Sequence, residues 1–317
     1  MLPPWVLLDP LLETWLREDL GRGDRSTSSI FAGASAVPPG QATWTAKSDG
    51  IIAGLPLAQR IFSLLDRDGM SQRSSSHYAP ANLTTNAANN PTSHQPTTAQ
   101  PLFQPLVADG TMVVAGTPIA QLTGALDILL MGERVALNLV MRLSGVASLT
   151  QKYVAALADT HTRLVDTRKT TPGLRILEKY AVELGGATNH RFGLDDAIML
   201  KDNHIAAVGG ITRAVELARR HSPFTISIEV ETENLDQVYE AAALGVQVIM
   251  LDNMPPSTMT TAIDHIRQVS SHTKIEASGN ITLDTIRSVA ELGVDYISTS
   301  AMVTRSSWLD LSMRIMT

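Results

Sequence analysis

The sequence predicts an α/β protein in two parts, a small N-terminal α/β domain followed by a barrel of parallel strands. Three observations carry that expectation. Six short β-rich runs in the second half of the chain alternate with amphipathic helical stretches. The phrases ALGVQVIMLD and ELGVDYISTS repeat one unit, in which a helix end, a glycine stop and a strand follow in order. Polar and charged residues collect at the carboxyl ends of these runs, the end where parallel barrels place their chemistry.

A chain of 317 residues has room for about two domains. They are expected at 1–127 and 128–317, with the extreme C-terminus free to return to the first domain. The opening MLPPWVLLDPLLETWLREDL reads as a helix, and since Asp9 and Glu13 precede Arg17 it lacks the basic start of a secretory signal. No run approaches the roughly 20 apolar residues of a membrane span, so a soluble protein is expected. IIAGLPLAQRIFSLL then reads as a helix and DGTMVVAGTPIAQLTG as strands with glycine turns. Between them, Ser74 to Ala108 contains no Asp, Glu, Lys or Arg and is crowded with small polar residues and proline. Such a segment has too little apolar surface to offset its ordering entropy, so 74–108 is expected to be a disordered insertion.

From Ile128 the run ILLMGERVALNLVMRLSGVASLTQKYVAALA predicts a long helix, with a bend or break near Ser144 and Gly145. RLVDTRK, DAIMLKD, TISIEVE, VQVIMLD, KIEASGN and VDYISTS follow as strands, which is most economically a closed parallel sheet. Because side chains alternate along a strand, Glu229 and Glu231 share a face, as do Val248, Met250 and Asp252.

The balance of 25 basic and 31 acidic residues, net −6 with no long Lys/Arg run, gives no footprint for nucleic acid or an anionic membrane. Zero cysteines exclude disulfides, a Cys-ligated zinc and a thiol nucleophile, and the cytoplasm is the expected location. No His pair has metal-ligand spacing.

Against that acidic background the stretch from Arg163 to Lys201 holds seven basic residues and five acidic ones. Arg175 and Lys179, spaced i, i+4 opposite an apolar stripe, read as a solvated helix face. Arg168, Lys169, His190, Arg191 and Lys201 lie instead at strand ends, where guanidinium and ammonium groups suit carboxylates and phosphates, with structural ion pairing as the alternative. His204 is open between a loop cap and a functional role.

The run DTRKTTPGLRILEKYAVELGGATNHRFGLDDAIMLKDNHI, Asp166 to Ile205, closely resembles the quinolinate phosphoribosyltransferase family. The likeness extends to LREDLGRGDRST, ERVALNLVMRLSGVAS, IEVET, IMLDNM, EASGNIT and GVDYIS. The resemblance implies an N-terminal α/β sandwich and an incomplete α/β barrel, in a homodimer or dimer-based oligomer that shares its active sites. It implies a pentosyltransferase of NAD biosynthesis, joining quinolinate to 5-phosphoribosyl 1-diphosphate with loss of CO2 and diphosphate to give nicotinate mononucleotide. Magnesium would accompany the diphosphate, and no organic cofactor is needed, since the ribosylated ring nitrogen itself stabilises the carbanion.

Carried over motif by motif, Arg168, Lys169, His190, Arg191 and Lys201 would hold carboxylates and phosphates, and Arg134 would reach quinolinate from the partner chain. Lys169, Glu231 and Asp252 would be catalytic, the two acids binding ribose hydroxyls directly or through magnesium. Ser278 and Gly279, with the turn at Thr299 and Ser300, would offer backbone N–H groups to the 5-phosphate. Ser300 and Arg305 depart from the family's usual Gly and His at these places. A paralogue with another acceptor, and a catalytically dead barrel used for interactions, are the competing readings. The first is opposed by the complete basic set and the second by the presence of Lys169, Glu231 and Asp252.

Overall fold

The computed structural model describes residues 1–34, 36–67 and 102–316. They form two compact units: Leu2–Gly145 with Trp308–Thr317, and Val146–Ser307 with Met1. The division falls at Gly145/Val146 rather than at the expected 127/128, because the helix Leu126–Ala156 begins as part of the first unit. That helix runs unbroken through Ser144 and Gly145, where a bend or break was expected. Ser144 does not interrupt its own helix: its buried hydroxyl accepts from the Ala53 N–H at 2.9 Å.

In the first unit, strand β1 (Pro39–Ala46) lies between β12 (Leu311–Met316) and β5 (Pro118–Ala125), with β3 (Phe103–Pro105) on the far side of β5. All these pairings are antiparallel. Gly50–Ile51 and Met112–Val113, β2 and β4, form a separate two-stranded ladder. Ala42, Trp44 and Ala46 alternate onto the buried face of β1. There Trp44 packs edge-on against Phe62 of the helix Leu55–Arg67 and against Phe103, at centroid distances of 6.3 and 5.3 Å, while Phe62 stacks on Phe103 at 5.8 Å. The amides of Gly54 and Leu55, at the start of that helix, donate to the two oxygens of Asp109 at 2.7 and 3.0 Å.

Most of the expected insertion, up to residue 101, lies outside the described residues, but 102–108 corrects it. Phe103 is a strand residue that is 1% exposed, anchored in the aromatic cluster, and its segment is an integral edge of the sheet. One large buried ring supplies what the low average hydrophobicity of the segment hid.

The second unit carries the six expected strands: β6 (Arg163–Val165), β7 (Ile198–Leu200), β8 (Ile228–Thr232), β9 (Val248–Asp252), β10 (Lys274–Ser278) and β11 (Tyr296–Ser298). They are parallel, in the order β6-β11-β10-β9-β8-β7, so the sheet curls into an incomplete barrel with β6 and β7 at its two edges. Beyond the β6 edge a single bridge pairs Val165 with Thr188. The Thr188 N–H donates to the Leu164 carbonyl at 2.9 Å, which leads the chain toward the barrel mouth at His190.

Strand parity sorts the chemistry. Ile228, Val230, Ile249, Leu251, Ile275, Ala277 and Ile297 are buried on the face that meets the helices. The alternate positions, Glu229, Glu231, Met250, Asp252, Glu276, Ser278 and Ser298, share the other face and give the barrel a polar interior.

Candidate active site

The end of β6 feeds directly into Asp166, Thr167, Arg168 and Lys169. Asp166 is 1% exposed and its Oδ1 accepts from Lys179 Nζ at 2.6 Å and from the His190 N–H at 2.7 Å. Lys179 also donates to the His190 carbonyl at 2.9 Å. Burial pushes the Asp166 carboxyl up and the Lys179 ammonium down, and their mutual attraction opposes both shifts.

The expectation that Arg175 and Lys179 form a solvated face is therefore wrong. The helix Arg175–Leu184 turns these residues toward the loops of the mouth. Arg175 donates to the Arg168 and Phe192 carbonyls at 3.3 and 3.2 Å and to Thr170 Oγ1 at 3.0 Å. Glu178, fully buried, accepts from the Thr171 N–H and hydroxyl, both at 2.8 Å. A polar stripe on a helix faces water only when no polar interior competes for it.

Arg191 leans onto the start of β7. Its guanidinium donates to the Ala197 carbonyl at 2.9 Å and contacts the Met199 sulfur at 3.6 Å. Burial and then the nearby Arg168 charge lower its affinity for its proton. Two guanidiniums held in mutual repulsion form a receptor for an anion.

His190 is enclosed by Glu229 and Glu276, whose carboxylates lie 3.2 and 3.4 Å from its Nε2. These three residues are the group of His, Asp and Glu that the described residues bring close enough to share an ion. Burial lowers the imidazole pKa but hydrogen bonds to the two carboxylates outweigh it, and the net direction is up, to about 10. The Arg191 N–H, however, donates to His190 Nδ1 at 2.7 Å, so that nitrogen carries no proton. The carboxylates hold a proton on Nε2, directed at them, rather than on Nδ1. Burial, with Glu276 adding to it and His190 opposing, raises Glu229, which therefore takes up a proton more readily than an ordinary carboxylate. A metal would need the Nε2 lone pair, so the tautomer disfavours an ion here. Both ring nitrogens are engaged, which leaves the imidazole no free donor for a substrate carboxylate in this arrangement.

On the other side of the mouth, the Lys201 ammonium contacts Glu231 Oε2. His204 caps a helix rather than a loop: from the first turn of the helix Asp202–Val208 its Nδ1 accepts from the Lys201 N–H at 3.0 Å. At the end of β9, Asn253 Nδ2 donates to Asp252 at 2.7 Å, and Asn253 Oδ1 accepts from Asn280 at 3.1 Å. Asn253, Gly279 and Asn280 all take left-handed backbone angles, φ 53°, 95° and 51°. A Cβ on Gly279 would lie 2.1 Å from Asn253 Oδ1, so glycine is required there.

Ser300 has φ −85°, so the serine at the family's glycine position needs no special backbone. The Thr299 N–H is spent on the Val165 carbonyl at 3.2 Å, which leaves Ser300 rather than Thr299 to offer an amide at this turn. Arg305 closes the short helix Ala301–Thr304, its N–H donating to the Ala301 carbonyl at 3.0 Å.

The strand ends of one barrel thus bear Arg168, Lys169, Lys201, Glu231, Asp252, Ser278, Gly279, Thr299 and Ser300, whereas His190 and Arg191, expected at a strand end, lie in the segment that follows the Thr188 bridge. Arg134 belongs to the other unit, exposed on the helix Leu126–Ala156. Sequence reasoning missed Asp166, Lys179, Glu276 and Asn253. Asp166 and Asn253 each follow an apolar strand run directly or within two residues, and that position was the available signal.

Residues 146–314 match the model of the quinolinate phosphoribosyl transferase C-terminal domain and residues 100–144 that of the N-terminal domain, a junction that coincides with the division between the units. A probable nicotinate-nucleotide pyrophosphorylase [carboxylating] of Synechocystis sp. is 52% identical over 99% of this chain and 94% of its own. One of Bacillus subtilis is 41% identical over 97% and 93%. The crystal structure of NadC from Streptococcus pyogenes superposes with a TM-score of 0.83 at 40% identity, covering 99% of this chain and 98% of that one. With both domain models matched in order, and full-length relatives well above 30% identity, the basic barrel mouth has a family context: the chain belongs to the quinolinate phosphoribosyl transferase family.

Proposed function

We propose that the protein transfers the phosphoribosyl group of 5-phosphoribosyl 1-diphosphate to the ring nitrogen of quinolinate, in the cytoplasm, for NAD biosynthesis. The C1–O bond to diphosphate breaks, the C1–N bond forms, and the carboxylate next to the nitrogen leaves as CO2. The carbanion it leaves takes a proton to give nicotinate mononucleotide. The observation that carries this reading is the like-charged pair Arg168 and Arg191, one at the end of β6 and the other beside the start of β7, which a dicarboxylate would neutralise.

Around that pair the other residues have distinct tasks. Lys169, exposed beyond Arg168, would meet the diphosphate oxygens as they gain charge. Glu231 and Asp252, from β8 and β9 on the polar face, would hold the ribose hydroxyls and offset positive charge as C1 becomes oxocarbenium-like. These two carboxylates, on neighbouring strands, would suit magnesium that arrives on the diphosphate, where it would neutralise the leaving group. Ser278, Gly279 and Ser300 would receive the 5-phosphate, with Thr299 shaping the turn. His190 would support Arg191 from beneath.

Purified protein with quinolinate, the phosphoribosyl donor and magnesium should form nicotinate mononucleotide, and nicotinic acid should be a far poorer acceptor. A site built for two charges is left with unpaired cations by an acceptor carrying one. Comparable catalytic efficiency on nicotinic acid overturns the assignment.

Arg134 would complete the site of a partner in a two-fold homodimer. Arg134→Ala and Lys169→Ala should then each be inactive, while mixed subunits regain about a quarter of the sites. Confirmed subunit exchange with no recovered activity places Arg134 outside the shared site.

A further inference from the structure

We propose that the buried Asp166–Lys179 ion pair is a positioning device that sets the spacing of the two acceptor-binding arginines, Arg168 and Arg191. Its geometry differs from that of a pair serving only to join two elements. Both backbone polar groups of His190 end on it: the N–H on Asp166 Oδ1 at 2.7 Å, and the carbonyl on Lys179 Nζ at 2.9 Å. Asp166 stands two residues before Arg168, and His190 one residue before Arg191. One 2.6 Å contact between side chains that are 2% and 1% exposed therefore ties the β6 loop to the His190 segment.

The connection is short on both sides. Asp166 is fixed by β6, whose neighbouring Thr188 carbonyl accepts the Asp166 N–H at 3.3 Å. Lys179 is fixed in the middle of the helix Arg175–Leu184. Among the described residues the buried Asp166 Oδ2 has no hydrogen-bond partner, so the carboxylate is arranged around what its other oxygen holds, at a cost to its own solvation. The Arg191 N–H then donates to His190 Nδ1, so the clamp on residue 190 passes directly to the residue that bears the guanidinium. Neither Asp166 nor Lys179 touches the acceptor in this proposal; both are positioning residues.

The inference rests on quinolinate being the acceptor, so full-length wild-type protein is assayed first. A wild type inactive on quinolinate overturns the functional reading and this one with it. Given activity, Asp166→Asn/Lys179→Met removes both charges together, keeps an acceptor for the His190 N–H and deletes the donor to its carbonyl. The quinolinate KM should rise about tenfold or more, as expected when a binding group moves by a fraction of an ångström, with the donor KM within about twofold and Tm nearly unchanged. Lys179→Arg, which retains a buried cationic donor, should fall between the double variant and wild type. A folded double variant with wild-type quinolinate KM overturns the proposal, as does an equal rise in both KM values. Failure of both variants to fold would mark the pair as purely structural and would equally overturn it.

Discussion

In the N-terminal unit the interior is closed by rings: Trp44, Phe62 and Phe103 meet at 5.3–6.3 Å. The barrel buries Asp166, Lys179, Glu229 and Glu276, none more than 5% exposed, and brackets His190 among them. The first arrangement draws its stability mainly from apolar area and dispersion, with a smaller gain from the edge-to-face ring geometry. The second gives up solvation of several charges, which area cannot return, and obtains fixed angles and distances in exchange. A sheet whose inward residues are charged is a poor way to build a core and a good way to hold two arginines against each other.

If that contrast is right, damage to the two interiors should register in different assays. Phe62→Ala should cost about 3–5 kcal/mol of stability, visible as a large fall in Tm, while folded protein keeps its KM for both substrates. A specific rise in quinolinate KM in that variant, with Tm preserved, would break the comparison. Arg191→Ala should do the opposite, lowering turnover by about 10²–10³-fold with little change in Tm, because the side chain supplies charge to the acceptor rather than packing. Unfolding of Arg191→Ala would move that residue to the structural side.

The smallest expected effect lies at the opposite end of the barrel strands, where Asp295 accepts from Arg267 and from the Ile275 N–H at 2.7 and 2.8 Å. Burial alone would raise its pKa, but the Arg267 hydrogen bond, the Ile275 amide and the Arg267 charge outweigh it, and the net direction is down. A depressed carboxylate stabilises the fold above its unfolded value and loses that contribution as pH falls through the folded one. Asp295→Asn should therefore cost about 1–2 kcal/mol at neutral pH, with the gap from wild type closing in acid. A gap that is constant with pH, or that widens in acid, would show that Asp295 acts through shape rather than charge.

All six barrel strands and the parity of Glu229 and Glu231 were legible in the sequence, because alternation and strand-end polarity are local patterns. Lys179 was not. Its i, i+4 relation to Arg175 is the same whether the facing surface is water or a buried carboxylate, and the partner lies 13 residues away on another element. Phe103 failed for a related reason: averaged over 74–108 the small polar residues dominate, while the outcome rests on one ring finding Trp44 and Phe62. The sequence offers no signal for the orientation of His190, since the two carboxylates around Nε2 come from β8 and β10. What a sequence conceals here is which polar groups face one another across the barrel.

Strand β12 has a kinetic consequence. Its pairing with β1, Gln41 opposite Met316 through Ala46 opposite Leu311, joins residues separated by the whole barrel in the chain. During synthesis β1 and β5 emerge first, then all six barrel strands, and only afterwards the segment that completes the first sheet. The barrel can fold while the N-terminal unit still shows a bare edge along β1, a template for pairing with a second nascent chain. Closing that edge is a high-contact-order step, slow by loop-closure entropy, so aggregation during expression should depend on residues 311–316 more than on any in the barrel.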